Sequence, residues 1–288
     1  MRVLLAILLV TFITIVRGES GAPPPAEFPF EYREGLLWVQ VRVADRQAPL
    51  SFLLDSGAEV SVINLDSAKR LGLTLGSKVK VRGVHTSVTG YWPQAIRTTA
   101  NDVVLPSDHL ALDLSKLGRA CEQPVDGLIG APFFRDRIVR IDFAARKIRL
   151  LNSDETSASA NSLPLEVRPC GMRVRAGVNR GEPQWLRVDT GCATPLQWVT
   201  GRVRPEEYDS KVAIGVAKLN IPQRRTTVEL GNHTFRDVPT GIHRTAIFPG
   251  EAGLLGNGLL SRFSTVTIDA KAGRLILGEP RSPTGFAP

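Results

Sequence analysis

The sequence has 288 residues, 43% hydrophobic and 22% charged, with a mean hydropathy close to zero. A disordered chain, a multi-span membrane protein and a mini-protein held by disulfides are excluded, and about two domains of ordinary size are expected. Lys and Arg number 36 against 28 Asp and Glu, a formal charge of +8, yet no basic run or basic helix points to nucleic acid as a partner.

In chain order, Met1-Arg2 opens a run of about fourteen apolar residues that ends before Arg17-Gly18. Residues 1–18 read as a secretory signal peptide cut after Gly18. The alternative is an uncleaved anchor, and membrane contact is expected only in that case. Either way the rest of the chain is expected to be exported: periplasmic, secreted, or membrane-anchored with its folded part outside the cytoplasm. Residues 19–35 follow as an exposed, proline-containing lead-in.

Trp38 to Val43 alternates in strand fashion, and after a polar turn Phe52-Leu53-Leu54 leads into Asp55-Ser56-Gly57, making a hairpin whose second strand ends on an acid. Asp66 to Leu71, closed by Gly72, reads as a short capped helix. Residues 81–91, with Gly83, His85, Gly90 and Tyr91, read as another hairpin. Asp126-Gly127-Leu128-Ile129-Gly130 is an apolar strand, Phe133 to Asp136 a turn of helix, and Ile141-Asp142 with Lys147 to Leu150 a further hairpin. Residues 152–162 are small and polar, a flexible linker. It divides an N-terminal lobe, 36–151, from a C-terminal lobe, 163–280, and residues 281–288 form a tail.

The second lobe repeats the first. Residues 37–57 lie over 171–191 without a gap, which places Pro49 on Pro183, Phe52 on Leu186, Leu54 on Val188, Asp55 on Asp189, Ser56 on Thr190 and Gly57 on Gly191. Farther on, Leu128-Ile129-Gly130 recurs as Leu254-Leu255-Gly256, and Ile141-Asp142 as Ile268-Asp269. Short alternating runs broken by Gly, Pro, Asn and Asp dominate, so the architecture is expected to be all-β.

A single Asp-Ser-Gly or Asp-Thr-Gly is an ordinary turn, because Asp bonds its own backbone and Gly supplies permissive dihedrals. Two in register within a duplicated chain can be brought face to face by a twofold axis. Two carboxylates at that distance cannot both ionise, so the pair holds one proton and is acid and base at once. The ionised member can deprotonate a water while the protonated member bonds the carbonyl under attack. Ser56 and Thr190 can each bond backbone of the opposite loop and so fix the separation of Asp55 and Asp189.

Asp55-Ser56-Gly57-Ala58, Asp189-Thr190-Gly191-Cys192, Leu128-Ile129-Gly130 and Leu254-Leu255-Gly256 together resemble the pepsin-like and retropepsin-like aspartic proteases. The resemblance is greatest to the bacterial aspartyl protease-like group, with short lobes fused in one chain. It implies a bilobal acid-protease fold of two pseudo-twofold related β-barrel-like lobes with the cleft between them. It also implies catalysis by Asp55 and Asp189, psi-shaped elements at Gly130 and Gly256, and no cofactor. The 81–91 hairpin stands where the family places a flap over the substrate, although no residue matches the family's flap tyrosine. The corresponding interval of the second lobe is shorter, so any second flap is expected to be reduced. Where pepsins follow Asp-Thr-Gly with Ser or Thr, this chain has Ala58 and Cys192. Without those hydroxyl donors the dyad is expected to titrate higher and the optimum to be mildly acidic.

The other candidates fail. His85, His109, His233 and His243 make no metal-ligand spacing, and Cys121, Cys170 and Cys192 fit no metal pattern. Cys121 with Cys170 is a candidate disulfide, with small buried hydrophobes as the alternative. The expected partner is a peptide or protein substrate, and the expected state a monomer. The competing reading is a catalytically weak peptide-binding module of the same fold.

Overall fold

The computed structural model describes residues 26–281 except 45, 47, 84, 85, 157–160, 201–207, 215 and 216. The signal segment 1–18, the start of the lead-in, His85, the middle of the linker and most of the tail lie outside the described residues.

Each repeat begins as the alternation dictates. Leu36–Val43 pairs antiparallel with Leu50–Leu54, setting Trp38 opposite Leu53. Gly171–Val178 pairs the same way with Gln184–Asp189, setting Val174 opposite Leu186. The apolar strand Gly127–Ile129 then runs parallel beside the first aspartate strand, Ile129 opposite Leu54. Its counterpart Gly253–Gly256 runs parallel beside the second, Gly256 opposite Asp189. Strands in this position are covered on both faces, which is why they read as continuous apolar runs rather than alternating ones. Beyond them lie Ser61–Asn64 with His109–Leu112, and Leu196–Val199 with His233–His243, each pair parallel. The same pairings in both halves give the fold its pseudo-twofold symmetry.

A ten-stranded sheet forms the first lobe, and a thirteen-stranded sheet runs through the rest of the molecule. Ile138–Asp142 and Lys147–Leu151 follow the first lobe in sequence but pair outward: Ile141 lies opposite Val266 in Thr265–Asp269. With Glu27–Pro29 on one side and Arg274–Leu277 and Ser162–Arg168 on the other, these strands join the two halves in one sheet. Their inward side chains Val139, Ile141, Ile148, Val266, Ile268 and Leu275 are fully buried.

Among its described residues, 26–35, the lead-in is partly buried rather than wholly exposed. Glu27–Pro29 adds an edge strand to Lys147–Leu151, and Phe28 and Phe30, at 1% and 4% exposure, enter the core. The cause is a two-residue apolar alternation; burying each ring contributes about 1.5–3 kcal/mol.

Helices are few and short. Leu65–Arg70 starts one residue before the expected segment, and Ala131–Phe133 is a 3-10 turn matched in the second half by Asn257–Leu260. Ser115–Ala120 was not expected. The expectation of a reduced second hairpin needs correction: Tyr208–Ile214 pairs with Ala217–Leu230 along its whole length. Among the described residues, what the second half lacks instead is a helix between its aspartate turn and its psi strand, where the first half has two. No helix among the described residues is long and apolar enough to cross a membrane. Cys121, Cys170 and Cys192 are all free, so the candidate disulfide does not form.

Candidate active site

Asp55 and Asp189 stand at the ends of strands whose preceding residues, Leu54 and Val188, are fully buried. The chain turns at once. Asp55 Oδ1 accepts hydrogen bonds from the backbone N–H of Gly57 at 3.1 Å and of Ala58 at 3.0 Å. Asp189 Oδ1 accepts one, from Gly191 N–H at 2.9 Å. The apolar strand beside each turn closes it: Ala131 N–H donates to Ala58 O, and Asn257 N–H to Cys192 O, both at 2.8 Å. Gly130 and Gly256 permit that approach. A Cβ on Gly130 would lie 2.9 Å from Ser61 N, and one on Gly256 2.6 Å from Cys192 O.

The two turns are bonded to one another. Ser56 Oγ donates to Val188 O at 2.7 Å and accepts from Thr190 N–H at 3.0 Å. Thr190 Oγ1 donates to Leu54 O at 2.8 Å and accepts from Ser56 N–H at 2.9 Å. Both side chains are fully buried. Only a hydroxyl can donate once and accept at the same atom, so serine and threonine are the residue types this lattice requires. It brings Gly57 against the Asp189 carboxylate and Gly191 against that of Asp55.

Burial is the largest influence on both carboxyl groups and raises the pKa of each. Asp55 is partly offset by its two backbone donors, whereas Asp189 is raised further by the charge of Asp55. Burial, and next the Asp189 charge, pushes the Cys192 thiol up to about 12, so it stays protonated at neutral pH.

Above the pair opens a cavity of about 530 Å³. Its floor includes Asp55 and Asp189, and its first-lobe wall is mostly apolar, with Leu112 and Leu128 beside Glu59 and Lys80. The hairpin of Leu75–Gly83 and Thr86–Pro93 contributes Val79, Val81, Val88 and Trp92. Of the residues singled out in that hairpin, Gly83 pairs with Thr86 at its described end. Gly90 sits at the base, where a Cβ would meet Leu112 Cδ2 at 2.6 Å. Tyr91 packs on the opposite side with Ile63 and Ala68; its neighbour Trp92, 39% exposed, borders the cavity instead. Strand alternation decides this, since adjacent side chains point to opposite faces.

Two residues of the site carried no usable signal in the sequence. Asn257 donates through its amide to Thr190 O at 2.6 Å and to Gly35 O at 2.9 Å. Arg187 borders the cavity from within an apolar strand.

Among known proteins, a family model described as aspartyl protease matches residues 39–133, which include the first aspartate turn, the hairpin and Gly130. The crystal structure of aspartic proteinase from Irpex lacteus superposes with a TM-score of 0.57 at 13% identity, covering 90% of this chain and 98% of that one. The superposition shows the fold of an aspartic proteinase, and the family match falls on the first half of the chain. The family model ends within the first half, so the second aspartate turn is recognised by the repeat and by its pairing with the first. A comparison with curated proteins finds no match.

Proposed function

We propose that the chain is an aspartic endopeptidase that hydrolyses peptide bonds with one water activated between Asp55 and Asp189. The observation that carries this reading is the reciprocal bonding of Ser56 and Thr190, which holds the buried Asp189 and half-buried Asp55 face to face on the floor of an open cleft. An extended peptide lies along the cleft beneath the Leu75–Gly83 hairpin, with its scissile carbonyl above the pair.

The shared proton resides mainly on Asp189, which has one backbone donor against two for Asp55; donors to the charged form favour ionisation. Asp55 accepts a proton from the water as its oxygen bonds the carbonyl carbon, and Asp189 gives its proton to the carbonyl oxygen. The gem-diol then collapses. The C–N bond breaks, Asp55 passes its proton to the leaving nitrogen, and a gem-diol hydroxyl returns one to Asp189. The products are a carboxylic acid and an amine, and the dyad regains its single proton.

Because burial raises both carboxyl groups and neither Ala58 nor Cys192 supplies a hydroxyl donor, ionisation of Asp55 falls at mildly rather than strongly acidic pH. The apolar run of residues 1–16 supports export, and the presence of both aspartates in one chain supports a monomeric enzyme acting on peptide or protein substrates.

The test is digestion of a denatured protein mixture by the purified chain from about pH 3 to pH 7, with Asp55→Asn alongside. Cleavage by the wild type that disappears in the variant supports the proposal. A folded wild type that cleaves nothing across this range overturns it and leaves a peptide-binding module.

A further inference from the structure

Arg187 is 2% exposed yet carries a full charge at the edge of the catalytic cleft. It lies two residues before Asp189 in Gln184–Asp189. In the duplicated unit its counterpart is Leu53, also 2% exposed. The two positions pair alike, Leu53 with Leu128 and Arg187 with Leu254. The fold is therefore satisfied by leucine here, and a buried ion pair stabilises no better than well-packed apolar side chains. Architecture alone does not account for the arginine.

Its contacts point to the first lobe's aspartate turn. Nη1 donates to Gly57 O at 3.0 Å and to Cys170 O at 2.7 Å. Nε and Nη2 make a forked pair with Glu251, at 2.7 and 3.0 Å, and the Glu251 side chain is 3% exposed. The Phe248 ring covers the guanidinium, its centroid 3.6 Å from Cζ. The hairpin turn before Gly171 is shaped around it as well, since a Cβ on Gly171 would lie 2.9 Å from Nη1. The Gly57 backbone thus has its N–H on Asp55 Oδ1 and its carbonyl on an arginine of the opposite half.

We propose that Arg187 is a positioning residue: held by Glu251 and Phe248, it grips the Gly57 carbonyl and so sets how the Asp55 turn is presented to Asp189. This rests on the protease reading of the dyad. The guanidinium charge also favours the ionised dyad, and the Glu251 carboxylate opposes that effect. Other groups facing this region are the Cys170 and Cys192 thiols, with Glu59 and Lys80 along the cleft.

The experiment measures kcat, KM and the pH profile on one peptide substrate for the wild type, R187K, R187M and E251Q, with folding checked by circular dichroism. R187M and R187K are expected to lose about 10- to 100-fold in kcat with KM within about threefold. The acid limb of R187M should move to higher pH and that of E251Q to lower pH, opposite shifts that a merely structural role does not produce. If R187M fails to fold, R187K and E251Q decide the matter by the same criteria. Wild-type cleavage with kcat and acid limb unchanged in the folded variants, or with only KM altered, overturns the inference alone. A wild type without any cleavage overturns the protease reading and this inference with it.

Discussion

Gly57 and Asp189 come from opposite halves of the chain, yet a Cβ on the glycine would lie 2.5 Å from Asp189 Oδ1 and 2.7 Å from Oδ2. The relation is reciprocal, since a Cβ on Gly191 would lie 2.7 Å from Asp55 Oδ2. A single methyl group at either position must push the opposing carboxylate away. Gly57→Ala and Gly191→Ala are each expected to lose about 1–3 kcal/mol of stability in denaturant unfolding. Cleavage should fall by about 100-fold or more from the misplaced acid. An alanine variant with wild-type activity contradicts the facing arrangement.

The Thr190 hydroxyl serves Leu54 O and Ser56 N–H at once. Thr190→Val keeps the shape and leaves both buried groups without a partner, costing about 1–3 kcal/mol for each, whereas Thr190→Ser keeps the hydroxyl. Denaturant melts of the two variants check this. Serine should remain near the wild type and valine fall well below it; equal stabilities contradict the account.

The raised pKa of Asp189 makes the stability of the protein depend on pH in a fixed direction. In the unfolded chain an aspartate loses its proton near about pH 3.9, while the folded dyad still holds one. The unfolded state therefore binds fewer protons above that pH, and stability falls as pH rises toward the folded pKa. Asp189→Asn removes this penalty. It is expected to be inactive and to melt above the wild type at about pH 7, by about 1.4 kcal/mol for each tenfold change in proton affinity that the fold imposes. At about pH 3 the advantage should vanish. A variant less stable than the wild type at neutral pH, or an advantage that persists at pH 3, contradicts the assignment.

The site was legible in the sequence where duplication made it so. Asp55 and Asp189, Ser56 and Thr190, Gly130 and Gly256 each come in register with a counterpart, and a repeated turn stands out where a single one does not. Arg187 was illegible for the converse reason: its counterpart is a leucine, and its partners Cys170, Glu251 and Gly57 lie 17, 64 and 130 residues away. Phe28 and Phe30 were hidden because two alternating rings beside prolines are too short a pattern to outweigh the lead-in around them. The second hairpin was misjudged from interval length, since the shortening fell on helices. Tyr91 was singled out and Trp92 was not, because which of two neighbouring aromatic residues faces the cleft depends on strand register.

The central claim is that Asp55 and Asp189 act as one unit. It is tested most directly by measuring kcat/KM of Asp55→Asn, Asp189→Asn and the double variant on one peptide substrate. Each single substitution is expected to cost about 1,000-fold or more, and the double variant should fall no further than the worse single, because residues acting as a unit are not additive. A single variant that stays within about tenfold of the wild type, or losses that multiply in the double, contradicts the dyad.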